Sequence, residues 1–179
     1  MSLESIKGRL PATAKDLKLN LGGITRSEHL SERQLYGTLV ATALATGNAE
    51  LLAATEAEAA SKLEASDLEL SKSVASTMGM NNVYYRFVHL VEKPDYGQLP
   101  ARLRMQALGG PEEDKLDREL WALAVSAVNG CGMCIQAHER TLSAAGATQG
   151  QIQDAVRVAA VVSAVGTVLS AQPSAVDAA

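Results

Sequence analysis

The sequence predicts an all-α fold, and three observations lead to that prediction. Apolar residues recur every three or four positions along most of the 179-residue chain, which is the spacing of one helix face. Several of these segments open with a Ser or Thr followed three residues later by Gln or Glu, the spacing of a capping box. No segment bounded by turn residues alternates apolar and polar side chains as a half-buried strand does. We therefore expect a single helical domain over residues 1–179.

The first half of the chain carries three predicted helices, bounded by capping or turn residues: 31–44, 50–63 and 66–91. Ser31 with Gln34, and Ser66 with Glu69, have the capping-box spacing and so mark two of the helix starts. Proline and glycine in the stretch 94–100 predict a turn region after the third helix.

Three further helices follow the break at Gly109-Gly110-Pro111: 114–129, 131–145 and 148–169. The first two form a helix pair over about residues 114–146, joined by a short turn at Asn129-Gly130, because both residues tolerate positive φ. The tail from Pro173 is expected to be frayed. The segments 35–41 and 120–126 each lead into a glycine-containing break and then a helix, which hints at an internally duplicated helix pair.

Charge and hydropathy limit the possible partners. The net charge is −4 and the 16 basic residues are spread along the chain, so we expect no binding to nucleic acid or to anionic membranes. The apolar stretch 158–171 is shorter than the roughly 20 residues that span a bilayer, which favours a buried core helix. The N-terminus lacks a basic-then-apolar signal pattern, so a cytoplasmic location is expected.

The chemistry of the chain is predicted to centre on its two cysteines, Cys131 and Cys134. A lone Cys-x2-Cys pair without a secretion signal points to redox or metal chemistry rather than to a structural disulfide framework. Three residues apart at a helix start, the two β-carbons lie roughly 5–6 Å apart, close enough for a disulfide. Unpaired N–H groups and the helix dipole favour the thiolate there, so we expect two accessible, reactive sulfurs.

His138 and Glu119 are the predicted assistants of the cysteine pair. His138 lies four residues beyond Cys134 and therefore on the same helix face. If the two helices fold back on each other, Glu119 and His138 lie at depths that differ by about one helical turn, so their side chains can meet. The spacing thus favours a proton relay from Glu119 through His138 to a cysteine.

Other interpretations of these residues stay open at this point. The thiols could be inert and buried, and Cys-x2-Cys-x3-His with one acid could nominally bind zinc, although structural zinc usually takes its ligands from two separated pairs. Glu119 or His138 alone could be an ordinary helix side chain. We expect no metal ligands and no tightly bound cofactor. His29 and His89 are expected to be structural, and Trp121 and Tyr36 to anchor the core.

The run Glu119-Leu-Trp-x5-Ala-Val-Asn-Gly-Cys131-x2-Cys134-x3-His138 resembles the signature of the alkylhydroperoxidase D (AhpD) family, within the carboxymuconolactone decarboxylase-like superfamily. Three upstream segments share the resemblance, which therefore covers nearly the whole chain: 15–20, 24–26 and 78–86. The resemblance implies a helical homotrimer that reduces organic hydroperoxides and regenerates the peroxiredoxin AhpC. It also implies electrons from dihydrolipoyl groups on a lipoyl-bearing acyltransferase, recharged by dihydrolipoamide dehydrogenase.

The resemblance further implies a role for each site residue. Cys134 becomes the sulfenic acid and forms the mixed disulfide with AhpC, while Cys131 is the proton donor and resolving thiol. Glu119 and His138 match the proton relay. Some family members carry a histidine where this chain has Met133, which implies heavier reliance on His138 here and a lower peroxidase rate. A general protein disulfide reductase is the alternative; a superfamily decarboxylase or lactone-processing enzyme and a non-catalytic scaffold also stay open.

Overall fold

The computed structural model describes residues 2–172 and confirms the all-α prediction, because every regular element in that range is helical. The α-helices are α1 (Leu3–Arg9), α2 (Lys15–Ile24), α3 (Glu32–Thr46), α4 (Ala49–Ala59), α5 (Ala65–Leu90), α6 (Pro94–Gln98), α7 (Lys115–Val128), α8 (Gly132–Ala144) and α9 (Gln149–Ser170). Short 3-10 turns lie at Ala12–Ala14, Gln106–Leu108 and Glu112–Asp114. The tail predicted to fray from Pro173 lies outside the described residues.

Capping explains most helix starts. The predicted capping box at Ser31 is confirmed, because its Oγ accepts from the Gln34 N–H at 3.2 Å and the Gln34 side chain accepts from the Ser31 N–H at 3.1 Å. The same reciprocal pair joins Thr148 and Gln151 at the start of α9. These bonds satisfy N–H groups that a helix start leaves without partners.

Two sequence predictions about helix bounds are wrong. The capping box at Ser66 does not form, because α5 begins at Ala65 with Glu64 in the N-cap position and Ser66 already inside the first turn. The adjacent Asp67 bonds across to Arg33 on α3 instead, and this contact between helices favours the earlier start. The predicted turn region 94–100 contains the short helix α6, whose first residue is Pro94. Proline has no backbone N–H, but an N–H at the first position of a helix has no partner within the helix, so nothing is lost there.

Helix α3 is the centre of the core. Its residues 34–43 are all buried, and the helix packs against α4, α5, α7 and α9. Gly37 allows α7 to approach so closely that a Cβ there would overlap the indole of Trp121. Trp121 is fully buried and donates from Nε1 to the Gln34 carbonyl at 3.3 Å, and Tyr36 is also buried, so both act as core anchors, as predicted.

An ion cluster fixes the start of α7 against α3. The Arg33 guanidinium bonds to the carboxylates of Asp67 and Asp114, each at 2.7 Å, and to that of Asp117. The hydrogen bond to Asp67 raises the pKa of Arg33 above its ordinary value, so the cation stays charged at any pH the protein meets. The cluster therefore fixes the first turn of α7, the turn that precedes Glu119.

Helix α9 forms one wall of the core. Within residues 2–172 it is the one helix whose length and composition would suffice to cross a membrane, and half of its most apolar window is buried. It packs against α2, α3 and α7 through residues such as Val158, Val162 and Val165. The prediction of a buried core helix over 158–171 is confirmed by this packing.

Candidate redox site

The two cysteines lie at the start of α8 and are joined in a disulfide. Cys131 is the N-cap residue and Cys134 the third residue of the helix, with their Cα atoms 5.3 Å apart. The Cys131 Sγ also accepts a hydrogen bond from the Cys134 N–H at 3.3 Å. The predicted position at a helix start is confirmed, and the pair forms the bond that its spacing permits.

The turn between α7 and α8 positions this disulfide. Gly130 has a φ of 66°, a left-handed conformation that glycine adopts without strain, so the chain reverses within three residues. The Asn129 amide donates to Asn82 Oδ1 at 3.0 Å, and Asn82 donates in turn to Ser126 Oγ at 3.0 Å. Arg86 donates to the Asn129 carbonyl at 2.7 Å. Helix α5 thus holds the turn that presents the cysteines, a role that the sequence interpretation missed.

The sulfurs are less accessible than the sequence predicts. Cys131 has no exposed surface and Cys134 is 5% exposed, so the expectation of two accessible thiols is wrong for Cys131. The reason is packing, since the start of α8 faces inward against the cluster that contains Trp121, Val125 and Met78.

A pocket of about 260 Å³ reaches Cys134. Its walls come from α8, α5 and the connection between α6 and α7, and most of them are apolar: Met78, Tyr85, Met105, Leu108, Met133 and Ala137. The polar groups among the lining residues belong to His138, Asn81 and the Tyr85 hydroxyl. Cys134 borders this pocket and Cys131 does not, so the two sulfurs have different access to a small molecule.

Glu119 and His138 meet as the helix spacing predicts. His138 Nδ1 and Glu119 Oε2 are 2.7 Å apart, and the two side chains are 13% and 18% exposed. An ionised Glu119 accepts from Nδ1–H, which leaves Nε2 as the ring nitrogen free to take a proton. Within residues 2–172 no direct hydrogen bond joins His138 to a sulfur, but His138 and Cys134 line the same pocket. The contact between the acid and the imidazole is therefore confirmed, and proton transfer to sulfur stays a prediction.

The remaining candidate residues have simpler surroundings. His29 and His89 are exposed and lie apart from the cysteines, and Met133 is partly buried beside Cys134. In the part of the chain that the structure describes, no three His, Cys, Asp or Glu side chains gather in a way that could hold a metal ion.

The fold and the site together define a class: an all-helical redox protein with a Cys-x2-Cys disulfide at a helix start and a His–Glu pair beside it. The model of the carboxymuconolactone decarboxylase family matches residues 94–176, which include α6 to α9. Full-length relatives narrow this class further.

Three relatives carry the printed name "Alkyl hydroperoxide reductase AhpD". The protein from Rhodopseudomonas palustris (strain BisA53) is 53% identical over 171 residues, covering 96% of this chain and 94% of the relative. That from Methylocella silvestris is 54% identical, with 96% of each chain covered. That from Brucella anthropi is 51% identical and covers 96% of this chain and 98% of the relative. The chain belongs to the AhpD family.

Proposed function

We propose that this chain is an alkyl hydroperoxide reductase that works through the Cys131–Cys134 dithiol. The observation that carries the proposal is a disulfide with one end, Cys134, on an apolar pocket that also contains His138. An apolar pocket suits the organic part of an alkyl hydroperoxide, and a dithiol supplies the two electrons that its O–O bond takes up. The printed names of the relatives agree with this activity.

The catalytic cycle begins with the reduced pair. The Cys134 thiolate attacks the terminal oxygen of the hydroperoxide, the O–O bond breaks, and the alkoxide leaves as an alcohol after taking a proton. Cys134 is then a sulfenic acid. The Cys131 thiol attacks its sulfur and releases water, which gives the 131–134 disulfide. Two electrons have passed from the dithiol to the peroxide.

Access to the pocket supports the parts that we propose for the two cysteines. Cys134 borders the pocket whereas Cys131 is fully buried, so a peroxide in the pocket meets Cys134 first. Cys134 also lies in the first turn of α8, where the helix dipole favours a negative sulfur. Cys131 is one disulfide length away and serves as the proton donor and resolving thiol.

Glu119 and His138 form the proposed proton relay. The 2.7 Å contact orients the imidazole and stabilises its cation when Nε2 takes a proton from a thiol. Because both groups are largely buried, this charge pair is poorly screened by solvent. The alkoxide formed when the O–O bond breaks can take the same proton back.

Reduction of the disulfide requires an external dithiol. Dihydrolipoyl groups on a lipoyl-bearing acyltransferase, recharged by dihydrolipoamide dehydrogenase, are the proposed donors. The peroxiredoxin AhpC is the proposed partner, its disulfide being attacked by Cys134 and released by Cys131. The AhpD family resemblance supports these partners, as well as a cytoplasmic location in which thiols are kept reduced.

A homotrimer is the proposed assembly. The outer face of α5 exposes a stripe of apolar side chains, continued by two residues from α6 and just beyond it: Met80, Val83, Phe87, Leu90, Tyr96 and Leu99. We call these six residues the α5 stripe. A contiguous apolar surface of this kind is typical of a subunit contact, and further copies of this chain are the partners proposed to cover it.

Trapping of the sulfenic acid tests the proposed activity. The reduced protein receives one equivalent of cumene hydroperoxide in the presence of dimedone, and the adduct is mapped by mass spectrometry. We expect the adduct on Cys134, and more of it in Cys131→Ser because the resolving thiol is gone. An adduct on Cys131 alone would reverse the assigned parts, and no adduct with no peroxide consumed would refute the peroxidase proposal.

A general protein disulfide reductase is the second candidate, favoured by Met133 in the place where some family members have a histidine. The two candidates differ in substrate. Turnover of an alkyl hydroperoxide, measured against turnover of oxidised AhpC with the same dihydrolipoamide supply, separates them. Rapid AhpC reduction with negligible hydroperoxide turnover would favour the reductase.

A further inference from the structure

Asn81 on α5 is a buried polar residue without a proper partner. It is 3% exposed, and within residues 2–172 its Oδ1 has no hydrogen-bond partner. Its Nδ2 has only the Met78 sulfur, at 3.9 Å, a weak acceptor. Buried carbonyl oxygens of this kind are rare in proteins because an unmet acceptor away from water is unfavourable.

The position of Asn81 indicates a function for its unpaired oxygen. Met78, Asn81 and Tyr85 are three and four residues apart, so they share one face of α5, and all three line the pocket that reaches Cys134. The remaining side chains of the wall are apolar except for Cys134 and His138, and Tyr85 adds a hydroxyl group. Among the polar atoms of the described residues that line the pocket, Asn81 Oδ1 is the buried one that has no hydrogen-bond partner.

The next residue along the chain shows that the packing of α5 does not prevent an asparagine from finding partners. Asn82 is equally buried, at 1% exposed, yet its amide donates to Ser126 and accepts from Asn129, both at 3.0 Å. Asn82 holds the turn before the cysteines, whereas Asn81 does nothing comparable for the fold. Since Asn82 has hydrogen-bond partners within the protein and Asn81 Oδ1 has none among the described residues, a bound ligand is the partner we expect for Asn81.

We infer that Asn81 is a substrate-binding residue whose Oδ1 accepts a hydrogen bond from the O–H of the hydroperoxide. This inference rests on the proposed peroxidase function and adds to it a group that orients the substrate. The alkyl part of the substrate packs against Met78, Met105 and Leu108, and the hydroperoxyl group lies between Asn81 and Cys134. The substrate class is thus an alkyl hydroperoxide with an apolar chain that fills about 260 Å³.

The same hydrogen bond persists through the reaction. The oxygen that Cys134 attacks is the one that carries the hydrogen, and it ends up on sulfur as S–O–H. The alkyl oxygen leaves with the O–O electron pair and takes a proton to become the alcohol. Because the hydrogen stays on the oxygen that is transferred to sulfur, we expect Asn81 Oδ1 to accept from the same O–H group in the sulfenic acid.

Replacement of Asn81 by leucine, which has a similar shape but no polar atoms, tests the inference. The measurements are the melting temperature, kcat and KM for cumene hydroperoxide, and the rate at which methyl methanethiosulfonate blocks the reduced protein. This thiol reagent carries no hydrogen-bond donor, so Asn81 Oδ1 cannot assist it. In Asn81→Leu we expect an equal or higher melting temperature and a kcat/KM for the hydroperoxide about tenfold lower. The thiol-blocking rate should stay within about twofold.

Thr42→Val is the matched control, because Thr42 is fully buried but its hydroxyl donates to the Thr38 carbonyl at 2.7 Å. It should lower the melting temperature and leave the hydroperoxide rate intact. If Asn81→Leu does not fold, Asn81→Ala carries the same comparison.

Three outcomes overturn the inference. If Asn81→Leu consumes the hydroperoxide as fast as the unaltered protein does, Asn81 has no role in substrate binding, and the proposed peroxidase function is unaffected. An equal loss with both the hydroperoxide and the thiol reagent shows that the substitution disturbs the pocket rather than a hydrogen bond. No hydroperoxide consumption by the unaltered protein overturns the proposed function together with the inference.

Discussion

The contact between Glu119 and His138 leads us to expect that the two side chains act as one functional unit. When the carboxylate is ionised it accepts from Nδ1–H, and proton transfer by the ring is then expected at Nε2, the nitrogen that Glu119 does not contact. A unit of this kind loses its function when either part is removed, because an imidazole without its acid is neither oriented nor stabilised as a cation.

We expect His138→Gln to lower kcat/KM for an alkyl hydroperoxide on the order of 100-fold, the usual worth of one general acid–base group. Glu119→Gln keeps the side-chain shape but removes the charge, and should lower kcat/KM for the same hydroperoxide by about tenfold or more. Because the two act together, the double variant should be no slower than His138→Gln alone. Stopped-flow or coupled assays of peroxide consumption provide all three values.

His29→Gln is the control for these variants, since His29 is exposed and lies away from the cysteines. It should keep kcat/KM within about twofold, as surface substitutions usually do. Effects of His138→Gln and Glu119→Gln that simply multiply in the double variant would contradict a shared relay.

At the residue scale, the sequence predicted which side chains contact each other better than it predicted how buried each side chain is. The meeting of Glu119 and His138 followed from helix rise and a short turn, which are local quantities. The burial of Cys131 and the unmet Asn81 oxygen depend on which side chains other helices bring against them. No spacing rule along the chain gives that information, so both features appear only in the folded structure.

The crossing of α3 and α7 is a close contact between two long helices, one of which carries Glu119. Gly37 lies under the indole of Trp121, and a methyl group there would overlap the ring. Gly8 in α1 is the opposite case, an exposed helix glycine with nothing within 4 Å of the position of a Cβ. Substitution of glycine by alanine is therefore expected to lower the stability of the protein at Gly37 and to raise it at Gly8.

We expect Gly37→Ala to lower the free energy of unfolding by about 1–3 kcal/mol or more, because Trp121 has no room to move in a filled core. Gly8→Ala should raise it by about 0.5–1 kcal/mol, since alanine favours a helix. Urea denaturation followed by circular dichroism measures both. Equal stability of Gly37→Ala and the unaltered protein would show that α7 can shift away from α3.

At the element scale, the sequence located helices well where the ends were locally encoded. The Ser31 and Thr148 caps satisfy their own first turns, so their positions could be predicted without tertiary information. The start of α5 was wrong because Asp67 bonds to Arg33 on another helix, a contact between residues 34 positions apart. The α3–Gly47–α4 and α7–Gly130–α8 pairs both pass through a left-handed glycine, but a duplication stays a prediction.

At the scale of the whole molecule, α5 serves two surfaces at once. Its inner face supplies Met78, Asn81 and Tyr85 to the pocket at Cys134, while its outer face carries most of the α5 stripe. Covering the stripe with neighbouring subunits would support the wall of the pocket from behind. Assembly and peroxide binding are therefore expected to depend on the same helix.

The stripe supplies the test of the proposed trimer, because two leucines with almost the same exposure lie on and off it. Leu90 belongs to the stripe and is 68% exposed, whereas Leu19 on α2 is 67% exposed and lies outside it. A buried charge in a subunit contact is strongly unfavourable, but a charge on free surface is not. We expect the unaltered chain and Leu19→Glu to sediment at about three times the 18.8 kDa of one chain, and Leu90→Glu to sediment as a single chain. A single-chain mass for the unaltered protein would refute the trimer, and a trimer in Leu90→Glu would place the contact on another face.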